Sequence, residues 1–225
     1  GGARRIPVAV SGRRATADPL IGAALELLAI AEADMRLSAL CAGLDVPVVG
    51  EALGLDAQET GDLVRWLDAS GARWGLDAAD GPARHHWQAA IDRLLLGAAV
   101  GGEQDEVAGI APVAGAQAIA AQLARLLPAL DVLARFRELG REPRPVADWC
   151  AAAQDAFTAL FGSVHRGSDA FGSLLDALGE LRAGAAGEPQ LRIDAAGFRR
   201  ALGEQLDQGA SAAVASGPVT PCPLG

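Results

Sequence analysis

Lysine is absent from this 225-residue chain, and all nineteen basic residues are arginine. That excludes a phosphate-loop lysine, a Schiff base and a lysine general base. Cysteine is scarce too. Cys41, Cys150 and Cys222 are odd in number and far apart, which argues against a disulfide framework or a zinc site and fits a reducing compartment. No uninterrupted apolar run and no signal-peptide pattern stands out, so no membrane span is expected. Hydrophobic residues make up 51% and charged residues 21%, the balance of a folded globular chain rather than a disordered one. The net charge of −9 disfavours non-specific DNA binding by this segment alone, although Arg4, Arg5, Arg13 and Arg14 crowd its beginning. With Gly at its start and "GPVTPCPLG" at its end, the chain is expected to be a piece of a longer protein.

The patterning is mostly helical. "RIPVAVSG" alternates and reads as a strand ending at Gly12. Asp18 then caps a helix with Pro19 in its first turn and an apolar stripe through Leu20, Leu25, Leu28 and Ile30. Two short helices follow, "RLSALCAGL" and one opening near Pro47 and closed by Gly54. "DAQETGDLVRWLDASG" carries the clearest local signal, with Asp56 at the cap, Glu59 three residues later and Gly71 placed to stop the helix. These short helices have a faint helix-turn-helix outline. Asp56, Glu59, Asp62 and Asp68 against Arg65 would repel phosphate. Further helices are expected over Trp87–Val100, with Ile91, Leu94, Leu95 and Ala98 on one face, and over Ala116–Leu139, kinked or broken at Pro128. Others run from Pro145 through Phe161, from Ser168 or Asp169 to about Ala183, and from Asp194 to Gly209. "REPRPVADWC" reads as a turn into the first of these, and "SGPVTPCPL" as a second strand. Two isolated strands are marginal alone. Helices bracketed by strands at both ends have the form of an insertion that leaves a sheet and returns to it.

Candidate catalytic and metal groups are thin. His85 and His86 are adjacent, so on a helix they point about 100° apart and do not form one clamp. Their only near carboxylates are Asp77 and Asp80, and zinc needs three or four ligands; a solvated helix start is the better reading. Cys41 and Cys150 lie in apolar helical stretches and read as buried structural thiols. Asp105 and Glu106 read as solvated loop charges. "GAAVGG" follows a helix rather than a strand, unlike a phosphate loop. Trp66, Trp74 and Trp87 read as core packing at a helix junction rather than as base-stacking platforms. No catalytic, cofactor-binding or metal residue is therefore assigned.

"RWLDASGARWGLD" followed by "HWQAAIDRLLLGAAV" resembles the central region of the RecC family, the gamma subunits of exodeoxyribonuclease V. The residues that carry the likeness are Trp66, Gly71, Arg73, Trp74, Gly75 and Leu76, then Trp87, Asp92, Arg93, Leu94, Leu95, Leu96 and Gly97. "IPVAVSGRR", "LDVPVVGEALGLDAQETGDLVRWL", "RPVADWC" and "SGPVTPCPLG" extend it nearly end to end, with Gly12, Ala98 and Pro221 departing from the family's pattern. The resemblance implies a mainly α fold: the helical insertion subdomain of an inactivated superfamily-1 helicase-like subunit, with short strands at both chain ends. Residues 1–14 would come from the parent domain, 15–210 would form an all-helical insertion, and 211–225 would return to the parent as a strand. It further implies a non-catalytic scaffold and DNA-strand channel in an ATP-dependent helicase and nuclease that processes double-strand breaks for recombinational repair. ATP and Mg would reside in partner subunits, one a motor and nuclease, the other a second helicase, in the bacterial cytoplasm. Trp66, Gly71, Arg73, Trp74, Gly75, Leu76, Trp87, Arg93, Leu94, Leu95 and Gly97 would then be framework. The alternative from another class is a free-standing helical interaction module without enzymatic activity.

Overall fold

The structure is a computed structural model that describes residues 15–75, 85–100 and 106–216, with side chains described to residue 210. Asp18 starts α1 (Pro19–Glu32) by accepting hydrogen bonds from the Leu20 and Ile21 amides, and Pro19 sits where its missing N–H costs nothing. Leu20, Ile21, Ala24, Leu27, Leu28, Ile30 and Ala31 are all buried. A helix buried on so many sides belongs at the centre of a bundle. Accordingly α1 packs against α2 (Leu37–Leu44), α3 (Pro47–Leu53), α6 (Ala120–Leu139), α8 (Asp169–Gly184) and α9 (Ala195–Ser216).

α4 (Ala57–Ala69) begins as the sequence indicates. The Asp56 carboxylate accepts from the Glu59 amide at 2.8 Å, and the Glu59 carboxylate accepts from the Asp56 amide at 3.1 Å. The reciprocal pair satisfies two donors that a helix start otherwise leaves open. α5 (Trp87–Val100) follows, then a 3-10 turn, Ala116–Ile119, that leads directly into α6. α6 runs unbroken through Pro128, so of the expected kink or break the break does not occur. Leu123, Leu126, Leu130, Leu133 and Phe136 hold it on both sides of the proline, so tertiary packing outweighs one missing backbone hydrogen bond.

The stretch Ala116–Leu139 is also, by length and by a mean hydropathy of 1.2 over an 18-residue window, long and apolar enough to cross a membrane. Arg125 and Asp131 interrupt it, so it is not the uninterrupted apolar run whose absence the sequence indicated. Its packing against α1, α4 and α7 (Val146–His165) accounts for the apolar face.

The segment read as all helix contains a small sheet. β1 (Arg144–Pro145) and β2 (Arg192–Ile193) pair antiparallel, Arg144 opposite Ile193 and Pro145 opposite Arg192. It ties the turn before α7 to the turn before α9. Trp149, on the first turns of α7, donates its indole N–H to the Ile193 carbonyl at 2.9 Å. The Trp149 ring stacks on Phe198 at 5.6 Å and tilts against Phe136 at 5.3 Å. All three are buried, so helices α6, α7 and α9 meet on one aromatic knot.

Asp194 caps α9 through the Gly197 amide, at 2.7 Å. The helix does not stop at Gly209 but continues to Ser216, so residues 211–216 are helical where a returning strand was placed. A single Gly costs only about 1 kcal/mol in a helix, and the alanines of "ASAAVAS" favour continuation. The strand read at the beginning of the chain, and residues 217–225 of the returning strand, lie outside the described residues.

Candidate functional site

The residues singled out in the sequence converge on the junction between α4 and α5. α4 ends at Ser70, and Gly71 (φ 83°) and Gly75 (φ 73°) both adopt the left-handed backbone that favours glycine. Between them the chain is held by backbone hydrogen bonds on both sides. The Leu37 amide donates to the Arg73 carbonyl at 2.9 Å, and the Arg73 amide to the His85 carbonyl at 3.0 Å. The Gly75 amide donates to the Asp34 carbonyl at 2.8 Å, and the Trp87 amide to the Gly75 carbonyl at 3.1 Å. This turn thus joins the end of α1, the start of α2 and the start of α5.

Trp87 is buried, and its indole N–H donates to the Met35 carbonyl at 2.5 Å. Asp34 and Met35 both have positive φ (61° and 48°). A short acid visits this region at modest cost, but Met does so only when its surroundings hold it. Here Trp87, the Gly75 amide and Arg137, whose guanidinium donates to the Asp34 carboxylate at 2.8 Å, supply that hold. This corner went unread in the sequence, which has no glycine after α1 to mark it.

Arg93 ties two loops to α5. Its Nε donates to the Ala111 carbonyl at 2.9 Å, and its guanidinium donates to the Ser70 carbonyl at 2.6 Å. The Val113 amide returns a bond to the Arg93 carbonyl at 3.1 Å. Gly97 explains the close approach: a Cβ there would collide with the Val113 carbonyl oxygen and lie 2.9 Å from its carbonyl carbon. Trp66 lies against Gly115, where an added Cβ would come within 3.1 Å of its ring.

Three expectations change. Leu94 is buried, but Leu95 is 44% exposed. The inward face of α5 is Trp87, Ala90, Ile91, Leu94 and Gly97, spaced by three and four, and Leu95 falls outside it. Trp74 is 42% exposed rather than core, its ring 5.5 Å from His85. The histidine pair is not a solvated helix start, because His86 is buried and His85 is half-buried. Leu76, Asp77, Asp80 and Asp105 lie outside the described residues. Among the described residues, no three of His, Cys, Asp and Glu gather as a metal-holding group.

Of the thiols, Cys150 is buried as expected, while Cys41 is half-buried at the surface. Burial pushes both thiols above their ordinary range; Asp45 and Asp68 add to the effect at Cys41, and Arg182 opposes it at Cys150. Neither is poised as a nucleophile. Cys41 and Trp74 line a groove of about 790 Å³, together with Asp34, Arg36, Leu37 and Val64. The junction therefore offers a rigid, partly apolar recess with no catalytic constellation among the described residues.

The chain is similar to known proteins over most of its length. The family model described as the RecBCD enzyme subunit RecC fourth domain matches residues 17–210. The RecBCD enzyme subunit RecC of Escherichia coli (strain K12) is 29% identical over 167 residues, 70% of this chain and 15% of that protein. The protein of the same name from Haemophilus influenzae is 29% identical over 106 residues, 46% of this chain and 10% of its own length. The chain thus spans about a seventh of the first relative. With the matched segment covering nearly every described element, from the Asp18 cap to residue 210 within α9, the chain belongs to the family of RecC fourth domains.

Proposed function

We propose that this domain is a non-catalytic scaffold within a RecC-like subunit of an ATP-dependent helicase and nuclease. That complex would process double-strand DNA breaks for recombinational repair. The observation that carries the reading is the family match across residues 17–210. The architecture is compatible with an inserted domain. The Ala15 amide donates to the Asp207 carboxylate at 2.9 Å, so the first described residue lies against the last helix, α9. A domain whose first described residue lies beside its last helix suits insertion into a host fold, and in this reading the host is superfamily-1 helicase-like.

In the same reading the chain helps channel separated DNA strands only as part of the whole subunit, because its net charge of −9 gives it little electrostatic pull on phosphate. ATP and magnesium belong to the partner subunits, one a motor and nuclease and the other a second helicase, and the complex works in the bacterial cytoplasm. The test is to replace residues 16–206 of the full-length subunit by a short flexible linker and measure assembly and ATP-dependent unwinding of a blunt duplex. Loss of assembly or unwinding is expected. A complex that assembles and unwinds at the parental rate would overturn the scaffold role.

A further inference from the structure

The groove at the α4–α5 junction has features of a docking seat that the framework role does not require. Trp74 is 42% exposed, yet the turn that carries it is pinned by four backbone hydrogen bonds and flanked by two left-handed glycines. An exposed indole on a backbone fixed in this way needs little main-chain ordering when it binds. Rigid exposed aromatics beside a recess are the usual anchors of interfaces. Leu37 and Val64 give the recess apolar walls.

Its charges are unevenly satisfied. Asp34 is paired with Arg137 at 2.8 Å, and Asp68 with Arg73 at 3.0 Å. The guanidinium of Arg36, exposed at the start of α2, has no hydrogen-bond or ion-pair partner among the described residues. Among the described residues, the unmet charge at the rim is therefore a cation, and it favours a carboxylate.

We propose that this groove seats a segment of the same subunit lying outside residues 1–225. That segment would place an apolar side chain against Trp74, Leu37 and Val64 and an Asp or Glu on Arg36. Its source follows from length: the chain covers 15% of its E. coli relative, so a subunit of that size carries most of its polypeptide elsewhere. A covalently tethered segment competes at a high effective concentration, so a modest recess suffices to hold it. The inference rests on the reading that the domain works inside a full-length RecC-like subunit.

The experiment uses the full-length subunit with benzoylphenylalanine in place of Trp74, irradiated and mapped by mass spectrometry, with and without its partner subunits and DNA. Adducts are expected in one segment outside residues 1–225 that carries an Asp or Glu. Arg36→Glu should lower the yield about tenfold, as expected when an attractive rim pair becomes repulsive, and reversing the acid on the tagged segment should restore it. Circular dichroism checks the fold; if the Trp74 variant is unfolded, the probe moves to Ser38, exposed on the same groove. Adducts confined to residues 1–225, adducts to another subunit or to DNA, or no adduct in a folded protein would each overturn the proposal. An intrachain adduct in a subunit that fails to support unwinding would leave the docking seat standing and remove the proposed function instead.

Discussion

Trp149 and Trp74 sit in regions held together by different means. Trp149 is fully buried, stacked on Phe198, tilted against Phe136 and hydrogen-bonded to Ile193. Around it, helices α6, α7 and α9 are joined by apolar area, which is non-directional and roughly additive. Trp74 is exposed, and the turn beneath it is held by backbone hydrogen bonds, two left-handed glycines and the Arg93 clamp. That region depends on geometry more than on area. The first is weakened by removing packed volume, whereas the second is weakened when one backbone path moves. A recognition surface gains from the second kind, because a fixed path presents a side chain without burying it.

The largest effect should come from the aromatic knot. Trp149→Ala removes a fully buried indole and leaves the Ile193 carbonyl without that donor. A loss of about 3–5 kcal/mol is expected, the range for truncating a buried large aromatic. Thermal and denaturant melting measure it. A loss under about 1 kcal/mol would place the knot among ordinary surface positions and undo the contrast from the buried side.

A smaller loss should follow at the junction from adding a single methyl. Gly97→Ala places a Cβ against the Val113 carbonyl, and backbone cannot yield as the end of a flexible side chain can. The segment must move off α5, straining the bond from the Val113 amide to the Arg93 carbonyl and the reach of Arg93 to Ala111. About 1–3 kcal/mol is expected, the usual cost of overpacking a tight contact. Gly203→Ala is the control, since nothing lies within 4 Å of a Cβ there and the residue is in mid-helix. It should be neutral or stabilising, as alanine is the better helix former. Equal losses at both positions would mean that the close approach does not matter.

Local chemistry was legible in the sequence and long-range geometry was not. The Asp18 and Asp56 caps, the Glu59 reply and the stop at Gly71 are short-range, and each is where the spacing places it. Pro128 is also a local signal, but its outcome was decided by α1 and α7 packing on either side of it. Arg93 was identified as framework through a family resemblance. Its partners, Ser70 and Ala111, lie 23 and 18 residues away, beyond the reach of periodicity. The Asp34–Met35 corner and the pairing of residues 144–145 with 192–193 carry no strong turn or strand signal. Trp74 was misread because hydrophobicity alone places an indole inside, whereas here the glycines at 71 and 75 fix a backbone path that points it out. Leu95 erred similarly: three consecutive leucines on α5, Leu94 to Leu96, cannot all face one side.

The smallest effect sharpens the comparison most. Trp74→Ala removes a half-exposed ring that lies against the His85 ring, while the backbone bonds that shape the turn remain. In residues 1–225 alone the change in stability should stay within about 0.5 kcal/mol, the range for surface substitutions away from special features. The same substitution in the full-length subunit should cost more if the groove is occupied there, because an occupied seat adds the anchor's interface contribution to its small local one. The measurement is thus a difference of differences: melting of Trp74→Ala against wild type in the short chain and in the whole subunit. Equal and small shifts in both would mean the indole faces solvent throughout, and the junction would then be scaffold alone. A large shift already present in the short chain would mean the indole holds the turn together. The two tryptophan regions would then differ in exposure but not in kind.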